Sequence, residues 1–357
     1  MLASLASELS TRGHRTAVIT LMSPGELPFY PVAGNVDLIA VGDTETRAGR
    51  SREIAKAAWR IRHALKSRNP KLILGFTTLG SVLAVLASRG LRVPVVAAER
   101  VDPQGHGQRI GRLRTSIRNA FYARADHVVV QTSRARQALS WLDDDRISSI
   151  ANPVHSVAGR AHPEKPGPDG RYRLLGVGRL DTQKGFDLLI SAFAQVSQRF
   201  PDWDLVIHGE GPERAALEAL ARRSPAGRIT LPGITSEIEA ALLGAHALAF
   251  PSRYEGFPNA LAEAMAAGLP VLGFRDVSGV EDLIVSTPTV AATGLLADPT
   301  APIASLMDAL VQLMGNPSLR SQLGVKARHH VAAFSPQIHY EKWERLLTRV
   351  THAHAGR

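Results

Sequence analysis

Short apolar runs alternate with amphipathic stretches along nearly the whole chain. Residues 16–21, 35–41, 71–76, 94–98, 127–131 and 147–150 form one series of such runs, and residues 172–177, 204–207, 229–231, 245–250 and 271–274 form a second. Runs this short and this apolar read as strands buried in a parallel sheet. Helical spacing fills the intervals. Leu2, Leu5 and Leu9 share a face within residues 2–12, with Gly13 as the C-cap, and Ile54, Ala58, Ile61 and Leu65 do so within residues 51–68. Leu188, Leu189 and Phe193 repeat the pattern, as do Leu261, Met265 and Gly268. Residues 301–331 read as helices, and residues 337–350, with Ile338, Trp343, Leu346 and Leu347, as a terminal helix. Strands and helices in strict alternation predict an α/β protein built from doubly wound parallel sheets.

A chain of 357 residues is too long for one typical core, so two domains are expected. The Pro-, Gly- and polar-rich stretch 155–170 supplies the break. The predicted division is residues 1–160, a linker at 161–170, a second domain at 171–334, and a terminal segment 335–357 whose helix returns to the first domain. Zero cysteines exclude disulfides, thiolate chemistry and cysteine-based zinc sites. No apolar run approaches the roughly 18 residues of a membrane span, and the amino terminus has no secretory pattern, so a cytoplasmic location is expected.

Charge is distributed unevenly. Residues 1–165 carry 24 Lys and Arg against 13 Asp and Glu, whereas residues 166–357 carry 18 against 19. The entire excess therefore sits in the first half. Arg52, Lys56, Arg60 and Lys66 line the outer face of the 51–68 helix, and Arg109, Arg112, Arg114 and Arg118 supply a second basic stretch. Such a surface suits anionic lipid headgroups or a diphospho-lipid, and predicts peripheral contact with the inner face of the cell membrane. Nucleic acid is set aside, because the basic stretches lack interleaved aromatic residues.

Chemistry concentrates in residues 251–270. A buried strand ends at Phe250, a loop carries Glu255, and Pro258 opens a helix that carries Glu263. The loop lies at a strand's carboxyl end, where open α/β sheets bind ligands, and a helix start presents N–H groups and a positive dipole end to an anion. A nucleotide sugar fits this layout: phosphates at the helix start, and one carboxylate for each set of vicinal hydroxyls. An isolated glutamate pair near a helix start more often only favours the dipole. The surrounding residues decide between the two readings. The run R-Y-E-G-F-P-N-A-L-A-E-A-M-A-A-G-L-P-V resembles the E-x(7)-E signature of glycosyltransferase family 4, retaining enzymes of the GT-B fold with two Rossmann-like domains facing a cleft.

Further segments carry the same resemblance. Residues 178–185, G-R-L-D-T-Q-K-G, are similar to the family's G-R-L-x-x-x-K-G loop, and an Arg with a Lys in one glycine-bounded loop suits a diphosphate. Residues 208–213, H-G-E-G-P-E, are similar to its G-x-G-P loop, and residues 151–154, A-N-P-V, to the P-N-P-V that closes the amino domain. What the resemblance implies is specific. Arg179 and Lys184 stabilise the departing nucleoside diphosphate, with a helix dipole in place of a metal ion and no cofactor. Glu255 and the backbone near Phe257, Pro258 and Asn259 hold the sugar. Amides of Ala260 and Leu261 meet the phosphates, and Glu263 takes the ribose hydroxyls. Gly178, Gly209, Gly211 and Gly233 let the backbone approach the nucleotide. On the acceptor side, residues 99–106, E-R-V-D-P-Q-G-H, partly match a run found in enzymes that extend polyprenyl-diphosphate-linked glycans, which points to Glu99, Arg100 and His106.

The resemblance implies a retaining transferase using a nucleoside-diphosphate sugar, a UDP-sugar in preference to GDP-mannose, and a glycan or lipid-linked acceptor in cell-surface polysaccharide or glycolipid synthesis. Two other readings stand beside it: a nucleotide-sugar-binding protein without turnover, and a GT-B epimerase. Residues 5–20 resemble the family's first helix and second strand, so the initial strand and glycine loop that precede them in that family are expected to be absent. Asp143, Asp144 and Asp145 read as a surface turn instead of a metal-binding Asp-x-Asp, and no metal is assigned to His352 and His354 in the tail.

Overall fold

Every ladder among the described residues is parallel. The structure, a computed structural model, describes residues 1–356 except 24, 27–29, 43–50, 104–110, 225–226 and 286–291, and the side chains of 51, 52, 112 and 113 also lie outside the description. In the first half, β1 (Ala17–Thr20) pairs with β2 (Asp37–Ala40) as a two-stranded sheet. A separate sheet follows in chain order: β3 (Ile73–Phe76), β4 (Val95–Ala98), β5 (His127–Val130) and β6 (Ile147–Ser149). Its middle strands, β4 and β5, are buried at every position, as their unbroken apolar runs predicted.

The second half forms one six-stranded sheet. In chain order its strands are β7 (Tyr172–Val177), β8 (Trp203–His208), β9 (Ile229–Gly233), β10 (Ala247–Phe250), β11 (Val271–Phe274) and β12 (Leu295–Ala297). In space the order is β12-β11-β10-β7-β8-β9. The chain builds outward from β7 to β9, returns to the other side of β7 with β10, and builds outward again. Its direction of winding therefore reverses between β7 and β10, and the loops after these two strands diverge around a crevice. The strand β12 was not read from the sequence. Three residues, only one of them buried, give too short an apolar run to mark it.

The last helix, Pro336–Ala355, lies against the first, Leu2–Thr11. Trp343 and Leu5 are almost fully buried there with Tyr340, Leu346, Val350 and the inner positions Val96, Ala98, Val129 and Ile150 of the amino-terminal half. Glu344 accepts from Arg12 Nη1 at 3.0 Å and pairs with His14 at 2.8 Å. This helix runs on through His352 and His354, so these two are not in an unstructured tail, and His354 lies 3.4 Å from Asp126. Among the described residues no helix is long and apolar enough to cross a membrane, and no group of three or more potential ligands could hold a metal ion.

One buried cation ties the linker to the second half. Arg320, fully buried, donates from Nε to the Pro163 carbonyl at 2.5 Å and from Nη1 to the Leu313 and Met314 carbonyls at 2.8 and 3.0 Å. It thus serves the carboxyl end of the helix Pro302–Gly315, where carbonyls are left over and the dipole favours a cation. Its guanidinium stacks 4.7 Å from the Tyr172 ring and 5.0 Å from Trp203. Burial, with the nearby Arg320 charge, lowers His246 to about 4, so this imidazole is neutral at pH 7 and accepts from the Arg173 backbone N–H at 2.8 Å. Replacing Arg320 with Ala orphans three carbonyls and opens a void, and should lower unfolding stability by about 3 kcal/mol. Denaturant titration of Arg320→Ala against wild type, reading the midpoint, checks this; an unchanged midpoint contradicts it.

Candidate active site

The carboxyl ends of β7, β8 and β9 are laced together through glycine backbone. Gly178 N–H donates to the His208 carbonyl at 3.0 Å, and Gly209 N–H to the Gly233 carbonyl at 2.9 Å. A Cβ at Gly209 would sit 1.8 Å from the Gly178 carbonyl oxygen, and Gly209 has φ +151°, so only glycine lets these loops approach. Gly211 is similarly confined, since its Cβ would lie 2.3 Å from the Leu180 carbonyl oxygen. Gly178, Gly209, Gly211 and Gly233 therefore lie together along one lip of the crevice.

Across the reversal, the loop after β7 meets the loop after β10. Gly185, at φ +66°, passes so close to Pro251 that a Cβ would lie 2.1 Å from its carbonyl oxygen. Arg253 N–H donates to the Gln183 carbonyl at 2.8 Å, and the Gln183 side chain to the Tyr254 carbonyl at 2.9 Å. Arg253 also forks onto Asp187 at 2.9 and 2.7 Å. This joint brings Lys184 Nζ to 2.6 Å from Glu255 Oε1, with the two side chains 19% and 9% exposed. The Lys184 ammonium also lies 5.2 Å above the Phe250 ring. An ion pair this sheltered is strengthened by low polarity around it but carries a desolvation cost. Arg179 remains accessible, 68% exposed, and is held by Asp181 at 2.5 Å. Asp181 also accepts from the Lys184 backbone N–H at 3.2 Å, so one carboxylate orders both candidate cations.

Pro258 caps the next helix, Asn259–Ala266, instead of occupying its first turn. Asn259 N–H turns back to the Phe257 carbonyl at 3.0 Å, and the N–H groups of Ala260 and Leu261 have no carbonyl one turn earlier within the helix to bind. Glu263 stands one turn on. Its side chain is surface-exposed at a cavity of about 180 Å³ lined also by Pro153, Val154, Ser156, Ile238 and Asn259, and desolvation by the surrounding protein atoms raises its carboxyl above the ordinary glutamate value. A wider groove of about 480 Å³ at Ser133, Arg136 and Asp144 holds none of these residues, and its arginine is already paired with Asp144 at 2.8 Å.

The acceptor-side candidates are arranged differently from expectation. Glu99 is 2% exposed and saturated: Thr78 donates at 2.9 Å, Tyr122 at 2.7 Å, and the Arg100 and Val101 N–H groups at 2.8 and 3.2 Å. It is a structural anchor facing inward, with no lone pair turned to the cleft. Arg100 lies over the Phe76 ring at 4.9 Å and donates to Asn152. Burial lowers its guanidinium to about 9, which leaves it charged at neutral pH. His106 and Arg109 lie outside the described residues. Arg118 does not extend a basic face, because it is buried and donates to the Pro103 carbonyl at 3.0 Å. Sequence reasoning gave no role to Asp181, Arg253 or Gln131. The first two lie inside the quoted loops, so their position was a usable signal; Gln131 had none.

A family model described as Glycosyltransferase Family 4 matches residues 1–158, and one described as Glycosyl transferases group 1 matches residues 159–330. The chain is 25% identical over 351 residues to the amylovoran biosynthesis glycosyltransferase AmsD of Erwinia amylovora, covering 96% of this chain and 93% of that one. Among solved structures, sucrose-phosphate synthase of Thermosynechococcus elongatus superposes with a TM-score of 0.81 at 20% identity, covering 98% of this chain and 92% of its own. Anabaena HepE in complex with UDP gives 0.75 at 16% identity, covering 98% and 95%. With both halves matched by glycosyltransferase models and the whole chain following a glycosyltransferase architecture, the protein belongs to the family 4-like glycosyltransferases of the GT-B fold.

Proposed function

We propose that the protein is a retaining, metal-independent transferase that moves a sugar from a nucleoside-diphosphate donor, a UDP-sugar before GDP-mannose, to a glycan or polyprenyl-diphosphate-linked acceptor. The observation that carries this reading is the sheltered Lys184–Glu255 pair at the point where the sheet reverses, with Arg179 beside it and a helix start opposite. In this reading residues 171–334 are the donor domain, residues 1–160 face the acceptor, residues 161–170 link them, and residues 335–357 return to the first domain. The diphosphate lies against Arg179, Lys184 and the Ala260 and Leu261 amides. Glu255 and the backbone near Phe257 and Asn259 hold the sugar, Glu263 accepts from the ribose hydroxyls, and the base rests by Gly233.

The reaction follows from that placement. The bond between the sugar's anomeric carbon and the diphosphate oxygen breaks first, and its electrons leave with the diphosphate. Arg179, Lys184 and the helix start stabilise the developing charge. The acceptor oxygen attacks the same face, and its proton passes to the departing phosphate oxygen, which retains the configuration without a protein nucleophile. Amylovoran biosynthesis in a relative's name and UDP in a fold neighbour support the acceptor and donor classes. The basic first half, with exposed Lys56 and Trp59 on the helix Ser51–Arg68, supports peripheral contact with anionic lipid.

A thermal-shift screen of UDP-, GDP- and ADP-sugars tests the reading. A true donor at a hundred times its Kd should raise the midpoint by about 3 °C, and silence from all three classes overturns the proposal. Glu255→Gln should cut transfer by roughly a hundredfold or more with an unchanged circular dichroism spectrum, and wild-type turnover would remove Glu255 from its role. The double change Arg179→Ala with Lys184→Ala should weaken UDP binding in calorimetry; equal affinity counts against the diphosphate clamp. Because Glu263 is needed as a carboxylate acceptor and its carboxyl is raised, UDP affinity should fall on acidification from a higher pH than an ordinary glutamate would give. Glu263→Gln should flatten that dependence, and an identical profile in the variant excludes Glu263 as its source.

A further inference from the structure

The carboxyl ends of three strands in the amino-terminal half converge on one residue of the opposite half. Arg100 follows β4, Gln131 follows β5 and Asn152 follows β6. Asn152 Oδ1 accepts from Arg100 Nη2 and from Gln131 Nε2 at 2.7 Å, while its Nδ2 donates to Asn259 Oδ1 at 2.8 Å. With its amide turned over, Gln131 still reaches both Arg100 and Asn152, so the cluster does not depend on that assignment. Asn259 is the first residue of the helix whose start faces the crevice. A second contact reinforces the first: a Cβ at Gly256 would lie 2.4 Å from the Arg100 carbonyl oxygen, so the residue following Glu255 is seated directly on the Arg100 backbone.

Arg100 is itself held from behind. Its N–H is bound to Glu99, which Thr78 and Tyr122 lock in place, and its guanidinium is supported by the Phe76 ring. A continuous set of contacts thus runs from the amino-terminal core to the loop 255–259. Among the groups proposed to hold a nucleoside diphosphate, Arg179, Lys184 and Glu263 lie in the other half and form no hydrogen bond or ion pair with Arg100, Gln131 or Asn152, which meet that half through Gly256 and Asn259. Nucleotide affinity and alignment across the cleft are therefore separable. Alignment is the more demanding, since a reacting atom misplaced by about 1 Å costs roughly a hundredfold in rate.

We infer that Arg100 and Asn152 are positioning residues: they register the sugar-holding loop 255–259 against the acceptor half, so that transfer depends on them while nucleotide binding does not. The inference rests on the proposed donor site, and its test has one readout that does not. Asn152→Ala, Arg100→Met and Arg100→Lys are compared with wild type by amide hydrogen exchange at residues 256–259, by calorimetry with UDP, and by UDP release from UDP-N-acetylglucosamine with a polyprenyl-diphosphate-linked N-acetylhexosamine present. Exchange should quicken at least threefold in Asn152→Ala and Arg100→Met. UDP affinity should stay within twofold, acceptor-dependent kcat should fall at least tenfold, and Arg100→Lys should recover part of it. Unchanged exchange at 256–259 overturns the inference without reference to any substrate. Parallel loss of UDP affinity and kcat also overturns it, since that pattern marks general damage. Failure of wild type to bind UDP, with quickened exchange in the variants, overturns the UDP preference alone and leaves the registration intact.

Discussion

The reversal of winding between β7 and β10 governs where chemistry can occur in this molecule. A parallel sheet sends the loops after neighbouring strands to opposite faces only where the winding changes direction. Here that point lies between the two strands whose following loops carry Lys184 and Glu255. Everything nearby serves their close approach. Glycines remove side chains where backbones must touch, at Gly185 against Pro251 and at Gly209 against Gly178, and Arg253 with Asp187 ties the two loops on the outside. The ion pair is thus the product of topology, and neither loop would hold its residue in place alone.

The charges of the site are balanced before any ligand arrives. Lys184 rests on Glu255, Arg179 on Asp181, and Arg253 on Asp187. A sheltered cation with no counter-ion would be costly, and a cation locked to a single carboxylate would be unavailable. A diphosphate, as proposed, would offer more negative charge and more acceptor oxygens than one carboxylate, and the backbone joints hold both loops independently of these ion pairs. The large positive excess lies elsewhere, across residues 1–165.

How much of this was legible depended on how local each feature is. The strands β4, β5, β10 and β11 were legible because full burial on a parallel sheet imposes an unbroken apolar run, whereas β2 has no buried position and β12 is too short to mark itself; the two glycine-bounded loops were visible because their residues stand at fixed spacing. Features fixed by distant partners were not. Arg320 looks like a surface helix residue until Tyr172, Trp203 and the Pro163 carbonyl surround it. Glu99 looks like a ligand carboxylate until Thr78 and Tyr122 are found on its oxygens. Arg118 reads as one of a basic series, yet its own loop carbonyl at Pro103 draws it inward. The helical state of His352 and His354 comes from the packing of the whole last helix, since neither residue carries that signal itself.

The two halves are joined by contacts of different character at their two margins. On the side of the last helix, Trp343, Leu346 and Val350 form an apolar cluster with Leu5, Leu9 and the four-stranded sheet of β3 to β6, and separating it would expose large apolar area at a cost that water cannot offset. On the cleft side the links are hydrogen bonds and ion pairs: Thr132 with Ser278 at 2.7 Å, Ser133 N–H to Asp282 at 2.9 Å, Arg134 with Asp276 at 3.3 Å, and Asn152 to Asn259 at 2.8 Å. Each of these exchanges for a bond to water at a net cost of about 1 kcal/mol. Bond for bond, these polar contacts exchange with water more cheaply than the apolar cluster does, and unlike apolar contacts they fix direction as well as distance. The ion pair at the reversal and the amide cluster around Asn152 then have separate roles, the first assembling the donor loops within one half and the second aligning that half with the other.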